Sequence, residues 1–305
     1  MIANKKMIYT NTIYSGNSLE VLKSFPDECV DLIVTSPPYF GQRDYNVKNQ
    51  IGQEKTVEEY INNLKRIFAE CRRVISSKGT LWLNLGDKYK DNQLAGVPWM
   101  TALALKEEGW ILRSDIIWHK PNAMPSSVKN RPTQDHEYVF LFAKTPNYYY
   151  DADAIREPHI TFTSLSKMRG GRNHLGIRGG TPEKGKNAGN PNLHNARWDQ
   201  AFHPNGRNKR TVWSISLSKF RDAHFAVFPE KLVENCVFAG SKPGMTVLDP
   251  FCGSGTTCVV ALKHGRKYVG IDINTEYCEL AKKRLQFLNS LNAQKNIREF
   301  IKLSH

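Results

Sequence analysis

Two short loops in this 305-residue chain carry residues whose types and spacing suit chemistry on an aromatic amine. The first is Thr35-Ser36-Pro37-Pro38-Tyr39, directly after the apolar run Val30-Asp31-Leu32-Ile33-Val34. Pro37 and Pro38 fix their own φ, hold the residue before each extended, and have no N–H. The turn therefore presents carbonyls and the Ser36 hydroxyl with few competing donors, which suits a substrate group that is itself a double donor. Tyr39 adds a flat face on which an unstacked base can lie, a contact worth about 1–3 kcal/mol. An exocyclic amine is a weak nucleophile because its lone pair is delocalised into the ring. Acceptors around its two N–H bonds favour the tetrahedral geometry that frees the pair, with no covalent enzyme intermediate. Alone, the same segment also reads as a proline turn or an exposed polyproline recognition segment.

The second loop is Asp249-Pro250-Phe251-Cys252-Gly253-Ser254-Gly255-Thr256-Thr257, at the end of Met245–Leu248. The spacing predicts a strand over Thr246–Leu248, a helix over Thr256–Lys263 stopped by Gly265, and a second strand over Lys267–Ile271. A further helix follows, capped by Asn274, with Tyr277, Leu280, Ala281, Arg284, Leu285 and Leu288 recurring every three or four residues. This is a βαβ unit with its glycine loop in the usual ligand crevice of an open parallel sheet. A dinucleotide fingerprint needs a third glycine where Cys258 stands, and Asp249 is a poor neighbour for a pyrophosphate. Asp272 lies 23 residues on (272 − 249), near the spacing of a carboxylate that hydrogen-bonds a ribose. An adenosyl ligand with an amino-acid tail and no phosphate fits better than NAD. The bland reading is a glycine turn used only for tight strand–helix packing.

Ser-Pro-Pro-Tyr with Asp-Pro-Phe-x-Gly-x-Gly-Thr resembles the β group of S-adenosylmethionine-dependent amino-methyltransferases of DNA, in which the catalytic loop precedes the cofactor loop. The likeness covers most of the chain outside about residues 155–212. It implies an α/β, Rossmann-like methyltransferase fold in permuted order, its mostly parallel sheet carrying an antiparallel edge strand. Residues 1–154 and 213–305 would form the catalytic domain and 155–212 a basic target-recognition insert. Ser36, Pro37, Pro38 and Tyr39 become the expected catalytic set. Asn17, Thr35, Phe228, Asp249, Pro250, Phe251, Gly253, Gly255, Thr256, Asp272 and Ile273 become the expected cofactor-binding set. Ile13–Ser18 resembles the segment approaching the cofactor's adenine, with Asn17 where the family often has Asp. His224–Leu232 resembles the segment that closes over the methionine moiety. Trp118-His119-Lys120 through His136-Glu137-Tyr138 resembles the lining of the target-base pocket. Ser at the first catalytic position resembles the N4-cytosine enzymes; adenine-N6 methylation is the alternative. A non-catalytic nucleic-acid-binding protein on the same scaffold and a methyltransferase for RNA or another substrate are the other readings.

The formal net charge of +14 calls for a polyanionic partner or a strongly solvated surface; its concentration in one segment favours the partner, which the resemblance implies is double-stranded DNA. Residues 167–210 hold ten Lys/Arg, among them Arg169, Arg172, Arg178, Arg207, Lys209 and Arg210, against Glu183 and Asp199. Those six arginines and lysines are the expected DNA contacts. Ser164–Arg210 shows no sustained period and is expected to be mobile without DNA. A second copy of the chain and a separately encoded cognate restriction endonuclease are further candidate partners. The six cysteines form no C-x-x-C and no zinc-ligand spacing, so reduced thiols and no metal are expected. No Pro-Cys occurs, which argues against covalent attack on a cytosine ring and for amino methylation. No apolar run approaches 18 residues and the N-terminus lacks an h-region, so the expectation is a cytoplasmic protein without membrane attachment.

The remaining elements must position these loops. Val57–Ile75 reads as an amphipathic helix ending at Lys78-Gly79, followed by a buried strand over Thr80–Leu85. Val97–Glu108 reads as a helix, Trp110–Trp118 as a strand, and Glu137–Ala143 as an antiparallel strand near the sheet edge. Asp87 is either a second pocket carboxylate or a turn or helix cap. His136-Glu137 is not half of a zinc motif, because residue 139 is valine; it reads as a salt-bridging pair shaping the base pocket. Tyr148–Tyr150 reads as an aromatic edge strand or a surface that stacks on DNA.

Overall fold

The computed structural model describes residues 8–45, 47–158, 205–217 and 228–303, with side chains in the last helix as far as residue 291. The expectation of a mobile 164–210 segment, the arginines at 169, 172 and 178, and His224–Val227 therefore lie outside the described residues, apart from Asn205–Arg210. The chain divides into two compact units, Met1–Tyr150 with Thr211–His305, and Asp151–Arg210.

The larger unit is built on an eight-stranded sheet. Its elements in chain order are β1 (Thr12–Ser15), α1 (Ser18–Ser24), β2 (Val30–Thr35), α2 (Val57–Val74), β3 (Ile75–Leu85), a two-residue hairpin β4 (Tyr89–Lys90) and β5 (Gln93–Leu94), and α3 (Val97–Glu107). There follow β6 (Ile111–His119), β7 (His136–Ala143), β8 (Val212–Ser214), α4 (Glu230–Gly240), β9 (Thr246–Asp249), α5 (Thr256–Lys263), β10 (Lys267–Asp272) and α6 (Thr275–Leu303). The strand order is β1-β10-β9-β2-β3-β7-β6-β8. Every neighbouring pair is parallel except β3·β7 and β7·β6, so β7 alone runs against the rest. β7 lies inside the sheet, and the short β8 forms the edge beyond β6.

This order places the two motif loops side by side. β2 and β9 are parallel neighbours, with Ile33 paired to Leu248, so the loops after Thr35 and Asp249 leave the same end of the sheet. From β9 the chain crosses to β10 on one side, and from β2 to β3 on the other. The crevice between diverging crossovers is where open parallel sheets bind ligands. The strands there are buried on both faces; Leu32, Ile33, Val34, Val247 and Leu248 are at most 2% exposed.

Helix α2 covers the β2–β3 side. Thr56 caps it by accepting the Glu59 N–H, and Tyr60, Leu64, Phe68, Cys71 and Val74 bury its apolar stripe. It stops at Val74, earlier than the Lys78-Gly79 boundary expected from the sequence. Ile75 is already extended, pairs with Val30 and is fully buried, because a β-branched side chain gains more from the sheet than from another helical turn. β3 therefore begins five residues before the expected Thr80 (80 − 75). Tyr148–Tyr150 form no strand; Tyr150 stacks on Trp82 at 6.4 Å, while Arg113 and Lys242 lie over Tyr148 and Tyr149. Among the described residues no helix is long and apolar enough to cross a membrane.

In the smaller unit, Glu157 and Arg207 face each other in an antiparallel bridge, and the Arg207 Nε donates to the Glu157 carboxylate at 2.8 Å. Arg156 donates to the Gly206 carbonyl and to Asn208 Oδ1. These bonds tie the two described ends of the segment together.

Candidate active site

The end of β9 is held from behind. Asp249 is 1% exposed; its Oδ1 accepts from the Thr35 hydroxyl at 2.6 Å and the Phe251 N–H at 3.0 Å, and its Oδ2 from the Thr257 hydroxyl at 2.7 Å. One carboxylate thus ties the end of β2, the start of the glycine loop and the first turn of α5. Burial pushes its pKa up to about 6, against the pull of these three donors. Because the folded value stands above the ordinary 3.8, the folded protein keeps a proton that the unfolded chain has released between about pH 4 and 6. That contribution to stability is complete below pH 4, is lost as pH rises through 6, and amounts to about 3 kcal/mol. Asp249→Asn removes the titration. Its stability relative to the parent, from denaturant unfolding between pH 4 and 7, should shift in the variant's favour by up to about 3 kcal/mol. A pH-independent difference would show that Asp249 does not titrate there.

The loop then turns through Gly253 and Gly255, both left-handed with φ of 49° and 82°. A Cβ on Gly255 would stand 2.8 Å from Ala281 Cβ, so this position also lets α6 pack against the loop. Arg284 on α6 donates to the Ser254 carbonyl at 2.7 Å and its hydroxyl at 3.0 Å, although the helical spacing had put Arg284 on an apolar stripe. Across the loop, Asp272 at the end of β10 accepts the Gly253 N–H at 2.7 Å and the Asn274 N–H at 2.9 Å. Burial raises the Asp272 pKa, opposed by those two amides. Asn274 caps α6 by accepting the Glu276 and Tyr277 N–H groups.

A cavity of about 300 Å³ opens between the two loops. On the cofactor-loop side its wall includes Phe251, Gly253, Thr256, Asp272, Ile273 and, from the chain before α4, Phe228. Asn17 reaches it too, although its side chain is already engaged as the N-cap of α1. Four members of the expected cofactor set stand behind the wall instead. Thr35 and Asp249 hold each other, the Pro250 carbonyl accepts from Ser18, and Gly255 packs on α6. They shape the surface and do not line it. The sequence reading missed part of the wall, Arg43, Tyr45, Asn49, Gln50, Ile51 and Tyr277. All but Tyr277 lie in the connection between β2 and α2, whose length was itself the available signal.

Ser36, Pro37, Pro38 and Tyr39 line the same cavity. The Tyr60 hydroxyl of α2 takes the Pro38 carbonyl at 2.9 Å and fixes the turn. Tyr39 packs its ring over Gly86, where a Cβ would meet its Cε2 at 2.7 Å. Its hydroxyl donates to Glu137 Oε2 at 2.6 Å and accepts from Ser36 Oγ at 3.1 Å. The Asn84 amide reaches the same Glu137 oxygen at 2.8 Å and the Tyr39 hydroxyl at 2.6 Å. Glu137 pairs through its other oxygen with Lys120 and His136 with Asp135, so the two do not form the salt-bridging pair expected from the sequence. Asp87 accepts the Gly96 and Val97 N–H groups at the start of α3; it is a helix cap and not a pocket carboxylate.

Residues 30–283 match the family described as DNA methylase. The chain belongs to that family. The DNA methylase relatives include Type II methyltransferase M.Cfr9I of Citrobacter freundii, 40% identical over 304 residues, which span 90% of this chain and 87% of that protein. Type II methyltransferase M.SmaI of Serratia marcescens is 39% identical over 302 residues, covering 90% of each chain. Among solved structures, the PvuII DNA methyltransferase (cytosine-N4-specific) superposes with a TM-score of 0.64 at 23% identity, covering 92% of this chain and 89% of that one. This likeness is one of fold. This DNA methylase uses S-adenosylmethionine as its methyl donor. The cavity agrees with such a ligand: it combines the half-buried Asp272 carboxylate, hydrogen-bonded to the glycine loop, with the rings of Phe251, Tyr45 and Tyr277.

Proposed function

We propose that this DNA methylase transfers the methyl group to the exocyclic N4 of cytosine in double-stranded DNA, as the modification enzyme of a Type II restriction–modification system. The observation that carries the reading is Ser36 in the wall of the cavity, its hydroxyl proton directed to Tyr39. The Ser36 oxygen then keeps a lone pair for a substrate N–H, and the carbonyls of Ser36 and Pro37 supply further acceptors. With Pro38 anchored by Tyr60, the double-donor amine meets a rigid set of acceptors, which is the preorganisation its methylation needs. The Type II names of the relatives support the restriction–modification setting.

When bound, S-adenosylmethionine supplies an electrophilic methyl carbon on a positively charged sulfur. Asp272 would accept the ribose hydroxyls, Phe251, Ile273 and Tyr277 would flank the adenine, and Asn17, Phe228, Gly253 and Thr256 would complete the enclosure. The Ser36–Tyr39 turn would hold the cytosine, swung out of the helix, with its ring on Tyr39. Residues 155–212 would read the target sequence, with Lys209 and Arg210 at its described end. Arg207 would act first as the fastener of that segment through Glu157.

The product decides the proposal. DNA modified by the purified enzyme, digested to nucleosides and analysed by mass spectrometry, should contain N4-methylcytosine. N6-methyladenine alone would overturn the cytosine assignment and leave the cofactor site untouched.

A further inference from the structure

We propose that Glu137 is the terminal proton acceptor of a relay that runs from the substrate amine through the hydroxyls of Ser36 and Tyr39. The inference rests on the amine-methylation reading and deepens it. Methylation leaves the amine nitrogen with a positive charge and one hydrogen too many. The structure offers a directed path for that proton. A carboxylate can only accept, so Tyr39 must donate to Glu137, at 2.6 Å, and its oxygen is left to accept from Ser36, at 3.1 Å. Both donors therefore point toward Glu137, and the start of the path, Ser36 Oγ, lies in the cavity wall.

The surroundings prepare Glu137 for the role. Its side chain is 15% exposed and that of Lys120, which holds the second oxygen, is 17% exposed. Asn84 donates to the accepting oxygen from β3. On Glu137's own strand His136 is turned to Asp135, so among the described residues the groups facing Glu137 are Lys120, Tyr39 and Asn84. When Glu137 takes the proton, Lys120 loses its countercharge. Its Nζ lies 4.7 Å from the centroid of the Trp118 ring, whose face offsets part of that loss. Burial and the neighbouring carboxylate drive the Tyr39 phenol well above its ordinary pKa. Tyr39 is accordingly not a base; it passes a proton on as it receives one.

The step balances. The nitrogen–carbon bond forms as the donor's sulfur–carbon bond breaks, its pair going to sulfur. One N–H bond breaks and leaves its pair on nitrogen. That proton goes to Ser36 Oγ, the Ser36 proton to the Tyr39 oxygen and the Tyr39 proton to Glu137 Oε2. Ser36 and Tyr39 end neutral, Glu137 ends as the acid, and no oxidant or reductant takes part.

Glu137→Gln keeps the size and an acceptor oxygen but cannot take the proton. Its single-turnover methylation rate should fall about 100-fold, the scale of general-base assistance, while calorimetric affinities for S-adenosylmethionine and for DNA stay within about twofold. Tyr39→Phe keeps the ring and cuts the path at its middle. It should lose a similar factor, and the double variant should be no slower than either single one. Time-resolved infrared spectroscopy should show a protonated-carboxyl band during turnover of the parent and none in Glu137→Gln. A Glu137→Gln rate within about threefold of the parent, additive losses in the double variant, or no carboxyl band in the parent would each overturn the relay. If Glu137→Gln loses cofactor binding and so its fold, Tyr39→Phe and the parent's infrared signal decide alone. A parent enzyme that methylates no DNA amine overturns the underlying reading instead, which keeps the two failures distinct.

Discussion

Tyr39→Ala should lower the single-turnover methylation rate by at least about 100-fold, with S-adenosylmethionine affinity unchanged. Two losses combine. The flipped base loses its stacking face, worth about 1–3 kcal/mol. The Glu137 carboxylate also loses a 2.6 Å hydrogen bond, which Asn84 and Lys120 only partly replace. Removing one partner of a mostly buried charged group costs more than the bond itself was worth, because the desolvation remains. Tyr39 contacts the glycine loop in none of its hydrogen bonds, so calorimetry with the cofactor should not register the change. A near-parental rate in the folded variant would remove Tyr39 from the base pocket. Comparison with Tyr39→Phe then separates the ring from the hydroxyl.

What was legible in the sequence follows a physical division between local and distant information. α5 spans Thr256–Lys263 as its spacing predicts, and β9 and β10 each exceed their predicted ranges by one residue, because periodicity and glycine punctuation act over a few residues. The pairing of Glu137 with Lys120 was not legible. It depends on the antiparallel register of β6 and β7, which sets Trp118 opposite Glu137 and brings residues 17 apart within contact. The supporting roles of Thr35 and Asp249 were hidden for a related reason. Their bond spans 214 residues, and only the adjacency of β2 and β9 creates it. Arg284 shows the converse error: helical spacing put it on an inward-facing stripe, and the stripe is real, but at that position the neighbour is a loop carbonyl and not the core. Residue type and spacing singled out two loops 214 residues apart, and the sheet order sets them side by side and determines which of their side chains face the cavity.

Asp272→Ala should weaken S-adenosylmethionine binding by about 1.5–3 kcal/mol, or roughly 10- to 150-fold in Kd, from the charge-assisted ribose bond alone. The structure adds a second consequence. Asp272 also accepts the Gly253 and Asn274 N–H groups, one on each oxygen, so its removal frees the glycine loop that walls the cavity. Asp272→Asn separates the two contributions. An amide retains one acceptor oxygen and can still hold one of the two N–H groups, but it carries no charge toward the ribose. The Asn variant should therefore bind more weakly than the parent and more tightly than the Ala variant. Because burial raises the Asp272 pKa, the parent's affinity should also begin to fall on acidification at a higher pH than an exposed aspartate would give, and neither variant should show that fall. Calorimetric titration of the three proteins across pH 4 to 8 reads all of this at once. Equal affinity in parent and Ala variant would place the ribose elsewhere in the cavity. Equal affinity in the Asn and Ala variants would show that the loop contact contributes nothing beyond the charge.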